Sequence, residues 1–201
     1  KIVHKAKRIW IVSDDERRII DGVMLGKTAL MVDTAPPKEI AGNVRYYDGK
    51  RPLRLCWSGN HDDRKGLPLL LSALSKLGNL KAILLDVLGN GPKTQIWKKT
   101  AESLGLQNII KWHGRLPYPQ ALKAMSGADV LIHTSYREAA SMVILEALGY
   151  GIPVICHDAC GMAVAVNSAC GIKVPFEHPK RSIAGFRNAI EHFLANPQKV
   201  E

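Results

Sequence analysis

The chain has 201 residues, 46% hydrophobic and 23% charged, and 28 Lys and Arg against 18 Asp and Glu give it a formal net charge of +10. This is globular composition with enough apolar residues for a real core, and no stretch of 18 apolar residues occurs, which excludes a membrane-spanning helix. The charge suits an anionic ligand or an anionic membrane surface; the basic residues are scattered with few aromatics between them, which argues against nucleic acid.

Lys1 to Arg18 has no apolar h-region and does not read as a signal peptide. The chain begins at Lys1 rather than Met, as a processed or cut product would. The first elements are a strand, Arg8–Val12, a helix from about Asp14 to Asp21, and a short apolar run, Thr28 to Val32. Asp14 and Asp15 are placed to cap that helix. Asp33-Thr-Ala-Pro-Pro37 and the stretch from Ala41 to Arg51, with Gly42, Asn43, Asp48 and Gly49, read as a linker or hinge.

From Leu53 onward strands and helices alternate. Strands are expected at Leu53–Ser58, Ala82–Leu88, Ile109–His113, Asp129–Thr134, Pro153–His157 and Gly171–Val174. Helical patterns lie at Leu67–Leu77, Thr94–Leu104, Pro119–Met125 and Met142–Leu148, and a last helix runs from about Arg181 to Leu194. Repeated βα units predict an α/β fold: a doubly wound, Rossmann-like parallel sheet of about six strands, covered on both faces. Ligands of such sheets bind outside the carboxyl ends of the strands. Residues 1–52 and 53–201 are therefore read as two parts.

The four cysteines do not form a CxxC pair. Cys56 and Cys156 sit in apolar strand runs and read as small core residues. Cys156, His157, Cys160 and Cys170 together suggest zinc, but the spacing of a zinc ligand set is absent. The pattern fits a reducing cytoplasm.

The strand ends carry the chemistry. The first ends in Ser58-Gly-Asn-His-Asp-Asp-Arg-Lys-Gly66, where Gly59 and Gly66 allow close backbone approach and Lys65 offers a point charge to a phosphate. It is not a P-loop, and a solvated polar loop fits the residues as well. The second ends in Leu88-Gly-Asn-Gly-Pro92, an incomplete dinucleotide fingerprint. The third ends in His113-Gly-Arg-Leu116. His113, His133 and His157 stand in or at the ends of strands, where satisfied core or rim histidines are the ordinary reading.

The densest signal is Glu138-Ala-Ala-Ser-Met-Val-Ile-Leu-Glu146. It places one carboxylate before a helix start and a second within the first turns. Free N–H groups at a helix start attract phosphate, and carboxylates accept from vicinal hydroxyls. Phosphate beside diols describes a sugar nucleotide. One competing pattern, Ile9-Trp-Ile-Val-Ser-Asp-Asp-Glu16, resembles the opening of a phosphoacceptor receiver domain, but the next strand, Leu53–Ser58, ends without the Asp such a domain needs.

Taken in order, Gly59–Gly66 with Lys65, Gly89-Asn-Gly-Pro92, Trp112-His-Gly114, Ser135-Tyr-Arg-Glu138, the Glu-x7-Glu pair, Glu146-Ala-Leu-Gly-Tyr-Gly-Ile-Pro-Val154 and Gly171-Ile-Lys-Val174 resemble the retaining glycosyltransferases of family 4, the glycosyl transferases group 1 domain of the GT-B fold. The resemblance covers about residues 53 to 190 and implies the C-terminal, nucleotide-sugar-binding half of that fold. Residues 1–52 then resemble the end of the N-terminal acceptor domain and its hinge, though Val32–Pro37 matches poorly. The remainder of that domain, with the site for a glycan or lipid-linked acceptor, is not in this chain.

The resemblance implies roles. Lys65 holds the donor diphosphate, within a loop of Gly59, Asn60 and Arg64. Gly89 and Gly91 belong to the second strand-end loop of the donor site. The base lies near Gly114, Arg115 and Leu116. Backbone N–H groups near Ser141, Met142 and Val143 meet the distal phosphate. Glu146 accepts from the ribose hydroxyls, and Glu138 contacts the transferred sugar; Glu138 and Lys65 are the catalytic candidates. No metal and no cofactor beyond the nucleotide-diphosphate sugar substrate is implied. Two positions depart from the family: Asn60 stands where Arg is usual, and Ser141 where Gly is usual. A cytoplasmic enzyme is implied, with peripheral contact at the inner membrane face compatible with the charge. A nucleotide-sugar epimerase of the same fold and a binding-only α/β domain are the alternatives.

Overall fold

The computed structural model describes residues 7–22, 26–31, 47–139 and 141–197. Strands β1 (Ile9–Ile11) and β2 (Thr28–Leu30) pair in parallel as a separate two-stranded sheet around helix α1 (Asp14–Asp21). The helix starts one residue earlier than an aspartate cap requires. Ser13 is extended and its hydroxyl accepts from the Glu16 N–H at 3.2 Å, while the Glu16 carboxylate accepts from the Val12 N–H at 2.8 Å. This reciprocal capping corrects the expectation that Asp14 and Asp15 cap the helix; Asp14 is already helical, where its charge meets the positive helix end. The run expected to reach Val32 ends at Leu30, and most of the expected linker, including Val32–Pro37, lies outside the described residues.

The main sheet holds β3 (Leu53–Ser58), β4 (Ile83–Leu88), β5 (Ile110–Gly114), β6 (Val130–His133), β7 (Val154–His157) and β8 (Gly171–Val174). All six are parallel, in the order β5-β4-β3-β6-β7-β8. The strands are apolar on both faces because both faces are covered. Helices α2 (Leu67–Leu74), α3 (Thr94–Ser103) and α7 (Pro179–Ala195) bury Leu70, Leu71, Trp97 and Phe186 against one face. Helices α4 (Tyr118–Met125), α5 (Met142–Gly149) and α6 (Cys160–Ala165) bury Met125, Ile144, Ala147 and Met162 against the other. The predicted doubly wound sheet is thus observed.

The chain winds outward from β3 to β5, then returns to place β6 beside β3. The strand order reverses between those two neighbours. At the opposite end of the same pair, Asp129 accepts two bonds from the Arg51 guanidinium at 2.6 and 2.7 Å and one from the Arg54 N–H at 2.8 Å. The central pair is therefore pinned below the site.

Helix α6 has no signature in the sequence. Its N-cap, Ala159, makes no side-chain bond, Cys160 takes a φ of 54°, and six residues with a glycine carry little periodicity. What holds it is tertiary: Met162 is fully buried in the second core cluster. Helix α2 stops at Leu74, short of the expected Leu77, because Leu77 continues the apolar pattern from a turn beyond the helix end.

Gly89 shows how tightly the strand-end loops pack. Its φ is +112°, and a Cβ there would stand 1.9 Å from the Gly59 carbonyl oxygen. Gly105 has φ +72° with open space around it. Gly105→Ala should therefore cost only the backbone strain of about 1–2 kcal/mol. Gly89→Ala must in addition push two loops apart and should cost about 3 kcal/mol or more. Urea unfolding of both variants measures the contrast; equal losses would mean that the loops are free to separate.

Candidate functional site

A cleft of about 410 Å³ opens at the carboxyl end of the sheet. Its walls include Gly59, Asn60, Arg64 and Lys65 after β3, Gly89 and Gly91 after β4, and Arg115 and Leu116 after β5. Ser58, Leu88, Asn90 and Ala121 complete it. Three guanidinium or ammonium groups in one partly enclosed space make an anion-attracting site.

The loop after β3 is laced to the loop after β6. The Trp57 indole N–H donates to the Thr134 hydroxyl at 2.9 Å, and that hydroxyl donates to the Lys65 carbonyl at 2.8 Å. The Tyr136 N–H donates to the Arg64 carbonyl at 2.9 Å. Lys65 and Glu138 close the seam with an ion pair. Gly66 sits in the seam with φ +64°, where a Cβ would stand 2.4 Å from the Thr134 carbonyl oxygen.

Glu138 is held from several sides. Arg64 approaches its carboxylate at 3.8 Å, and the Glu138 carbonyl accepts from the Gly161 N–H at 3.2 Å, so α6 supports the loop. Burial acts to raise the Glu138 carboxyl, but the bond and charge of Lys65 outweigh it and hold the group below its ordinary range. His133 Nε2 stands 3.9 Å from Glu138 and 3.4 Å from the Ser141 hydroxyl. Burial, with Lys65 nearby, pushes the His133 imidazole down to about 3, so the ring is neutral at physiological pH.

Helix α5 begins at Met142 with no side-chain cap bond from Ser141; the Ile144 N–H donates to the Ser141 carbonyl at 3.0 Å, and the N–H groups before it have no side-chain cap. Glu146 lies on the buried side of this helix. Its carboxylate accepts from the Tyr118 hydroxyl at 3.0 Å. Burial raises the Glu146 carboxyl above its ordinary range, and the Tyr118 bond opposes that rise.

Residues 48–201 match the family described as glycosyl transferases group 1. The chain belongs to this family. It is 36% identical over 124 residues to lipopolysaccharide glucosyltransferase WaaG of Escherichia coli K12, a match covering 59% of this chain and 32% of that protein. Its fold is similar to sucrose-phosphate synthase of Thermosynechococcus elongatus, with TM-score 0.77, 20% identity, and coverage of 99% of this chain and 52% of that one. It is also similar to Anabaena HepE in complex with UDP, with TM-score 0.71, 18% identity, and coverage of 97% and 57%. The chain thus spans about a third of that curated relative and about half of those solved structures. The α/β, Rossmann-like architecture is that of GT-B glycosyltransferases, and an epimerase or a binding-only domain is not favoured.

Within this group 1 glycosyltransferase domain, eight of the residues singled out by sequence line the cleft. Gly114 ends β5 beside it, while Glu138, Ser141, Met142, Val143 and Glu146 lie outside its walls. Glu138 is joined to the cleft through Lys65, and Glu146 through Tyr118, two residues after Leu116. His113 and His157 have structural partners: His113 Nε2 meets Asp86 at 2.6 Å, and the His157 ring nitrogens meet the Ser135 carbonyl at 3.0 Å and the Ser182 hydroxyl at 3.1 Å. Sequence patterns miss Tyr118 and Thr134. Tyr118 reaches Glu146 across 28 residues, a pairing that no local pattern encodes. Thr134 ends the expected fourth strand, where a buried hydroxyl is itself a signal.

Lys65 and Glu138 side chains are 14% and 10% exposed, so their pairing contributes to stability. Because the folded-state pKa of Glu138 is depressed below 4.5, that contribution is complete above the unfolded-state value and is lost as pH falls through the depressed one. Lys65→Ala should lower stability by about 2 kcal/mol near neutral pH. The gap from wild type should shrink below about pH 4. Urea titrations at both pH values test this; a gap that is constant or widens on acidification contradicts the pairing.

Proposed function

We propose that residues 53–201 form the nucleotide-sugar-binding domain of a glycosyltransferase that moves a sugar from a nucleoside diphosphate to an acceptor hydroxyl with retention of anomeric configuration. The single observation that carries the reading is the Lys65–Glu138 pair, set beside a cationic cleft formed by the loops after β3, β4 and β5. The UDP held by the similarly folded HepE supports a nucleoside diphosphate as the bound part. Residues 1–52 are the end of an acceptor domain and its hinge; the acceptor is a glycan or a lipid-linked glycan met through that other domain. The basic charge suits a site at the inner face of a membrane, on the cytoplasmic side.

Breaking the sugar–phosphate bond leaves negative charge on the departing diphosphate. Lys65 and Arg64 meet it as cations, and the first-turn N–H groups of α5 meet it as dipoles, with no metal required. Glu138 then serves two purposes. Empty, it neutralises Lys65; with donor bound, Lys65 turns part of its charge to phosphate and Glu138 becomes an acceptor for sugar hydroxyls. Glu146 accepts from the ribose. Closure of the two domains excludes water from the reacting bond. This chain by itself binds donor and does not turn it over.

Lys65→Ala removes a charge-assisted contact and should weaken nucleoside diphosphate binding about tenfold or more. Glu146→Gln keeps size, loses charge, and should weaken nucleoside diphosphate and sugar nucleotide alike. Glu138→Gln should weaken the sugar nucleotide selectively, since the diphosphate lacks the group it contacts. Calorimetry with UDP, ADP and their glucose conjugates measures all three. Equal effects of both Gln substitutions on both ligands would sink the division of roles.

A further inference from the structure

Glu146 is a buried carboxylate with few donors. It is 6% exposed, and among the described residues one side-chain hydrogen bond reaches it, from Tyr118. An ionised carboxylate offers about four acceptor sites, and a buried one left short of donors is costly. Such a group is suited to a ligand that brings donors with it. Tyr118 has the opposite character. It is 51% exposed, stands first in α4 after Pro117, and makes no ring contact among the described residues. Its hydroxyl bond to Glu146 is the described contact that directs it inward.

We infer that Tyr118 is a placeholder, whose hydroxyl occupies on Glu146 the acceptor position that a ribose hydroxyl takes when a nucleoside diphosphate binds. The inference rests on the reading of Glu146 as the ribose acceptor. A vicinal diol supplies two donors to the two carboxylate oxygens, whereas Tyr118 supplies one. The diol therefore gains on exchange. The displaced tyrosine turns to water from a position already half exposed, at little cost. A ligand without the diol cannot make the exchange and leaves Tyr118 seated. The single residue thus holds the empty carboxylate in place, and a ribonucleotide must displace it whereas a ligand without the diol does not.

The test is Tyr118→Phe in the 201-residue chain. Calorimetry compares UDP with 2′,3′-dideoxy-UDP, and the ADP and GDP pairs in parallel. A buffer at about pH 8 keeps the carboxyl ionised. With the competing hydroxyl gone, the ribonucleotide should bind about three- to tenfold tighter, and the dideoxynucleotide should be unchanged. Weaker ribonucleotide binding would make Tyr118 a support rather than a competitor and overturns the inference, as does no change. Glu146→Gln run beside it separates the two layers. If it weakens the ribonucleotide and spares the dideoxynucleotide while Tyr118→Phe does nothing, the placeholder alone falls. If it affects neither, or if no nucleotide pair binds the wild type, the ribose reading fails and the placeholder falls with it.

Discussion

Everything in the site depends on one seam, the lacing of the loop after β3 to the loop after β6. These strands are neighbours in the sheet but far apart in the chain, and their helices leave toward opposite faces. Without cross-links the two loops would diverge, since nothing in the sheet ladder continues past the strand ends. Thr134 prevents that by accepting from Trp57 and donating to the Lys65 carbonyl. The Tyr136–Arg64 backbone bond adds a second tie, and the Lys65–Glu138 pair a third. The lysine is thus held by its backbone and by its charge, so its position is fixed without any ligand.

The seam changes the meaning of the glycines. A glycine in a strand-end loop suggests a backbone making room for a ligand. Gly66 and Gly89 instead make room for the protein: their missing Cβ atoms would strike the Thr134 and Gly59 carbonyl oxygens. At these two points the strand-end loops meet backbone to backbone.

The alternation of strands and helices was legible because a parallel sheet buried on both faces writes itself as apolar runs between helical patterns, as Leu53–Ser58 and Val154–His157 do. The Glu138–Glu146 spacing was legible because both lie near one helix start. What stayed hidden was set by contact across the fold. Tyr118 finds Glu146 only because α4 and α5 share one face of the sheet. Helix α6 forms around Met162 without a start signal. The cap of α1 was misplaced for a different reason: Ser13, Asp14 and Asp15 are all good caps, and only the backbone angles decide among them.

The two family departures acquire a physical sense from these contacts. Asn60 lines the cleft without a charge, yet Arg64, Lys65 and Arg115 line it too, so the cleft keeps an excess of positive charge even with Glu138 paired to Lys65. Ser141 places its hydroxyl against His133, a ring kept neutral by burial and by Lys65. A charged imidazole there would compete with Lys65 for Glu138 and loosen the seam. A neutral one can exchange a hydrogen bond with the serine and leave the ion pair intact. The side chain added at Ser141 is thus turned toward the His133 ring in the protein interior and does not cap the start of α5.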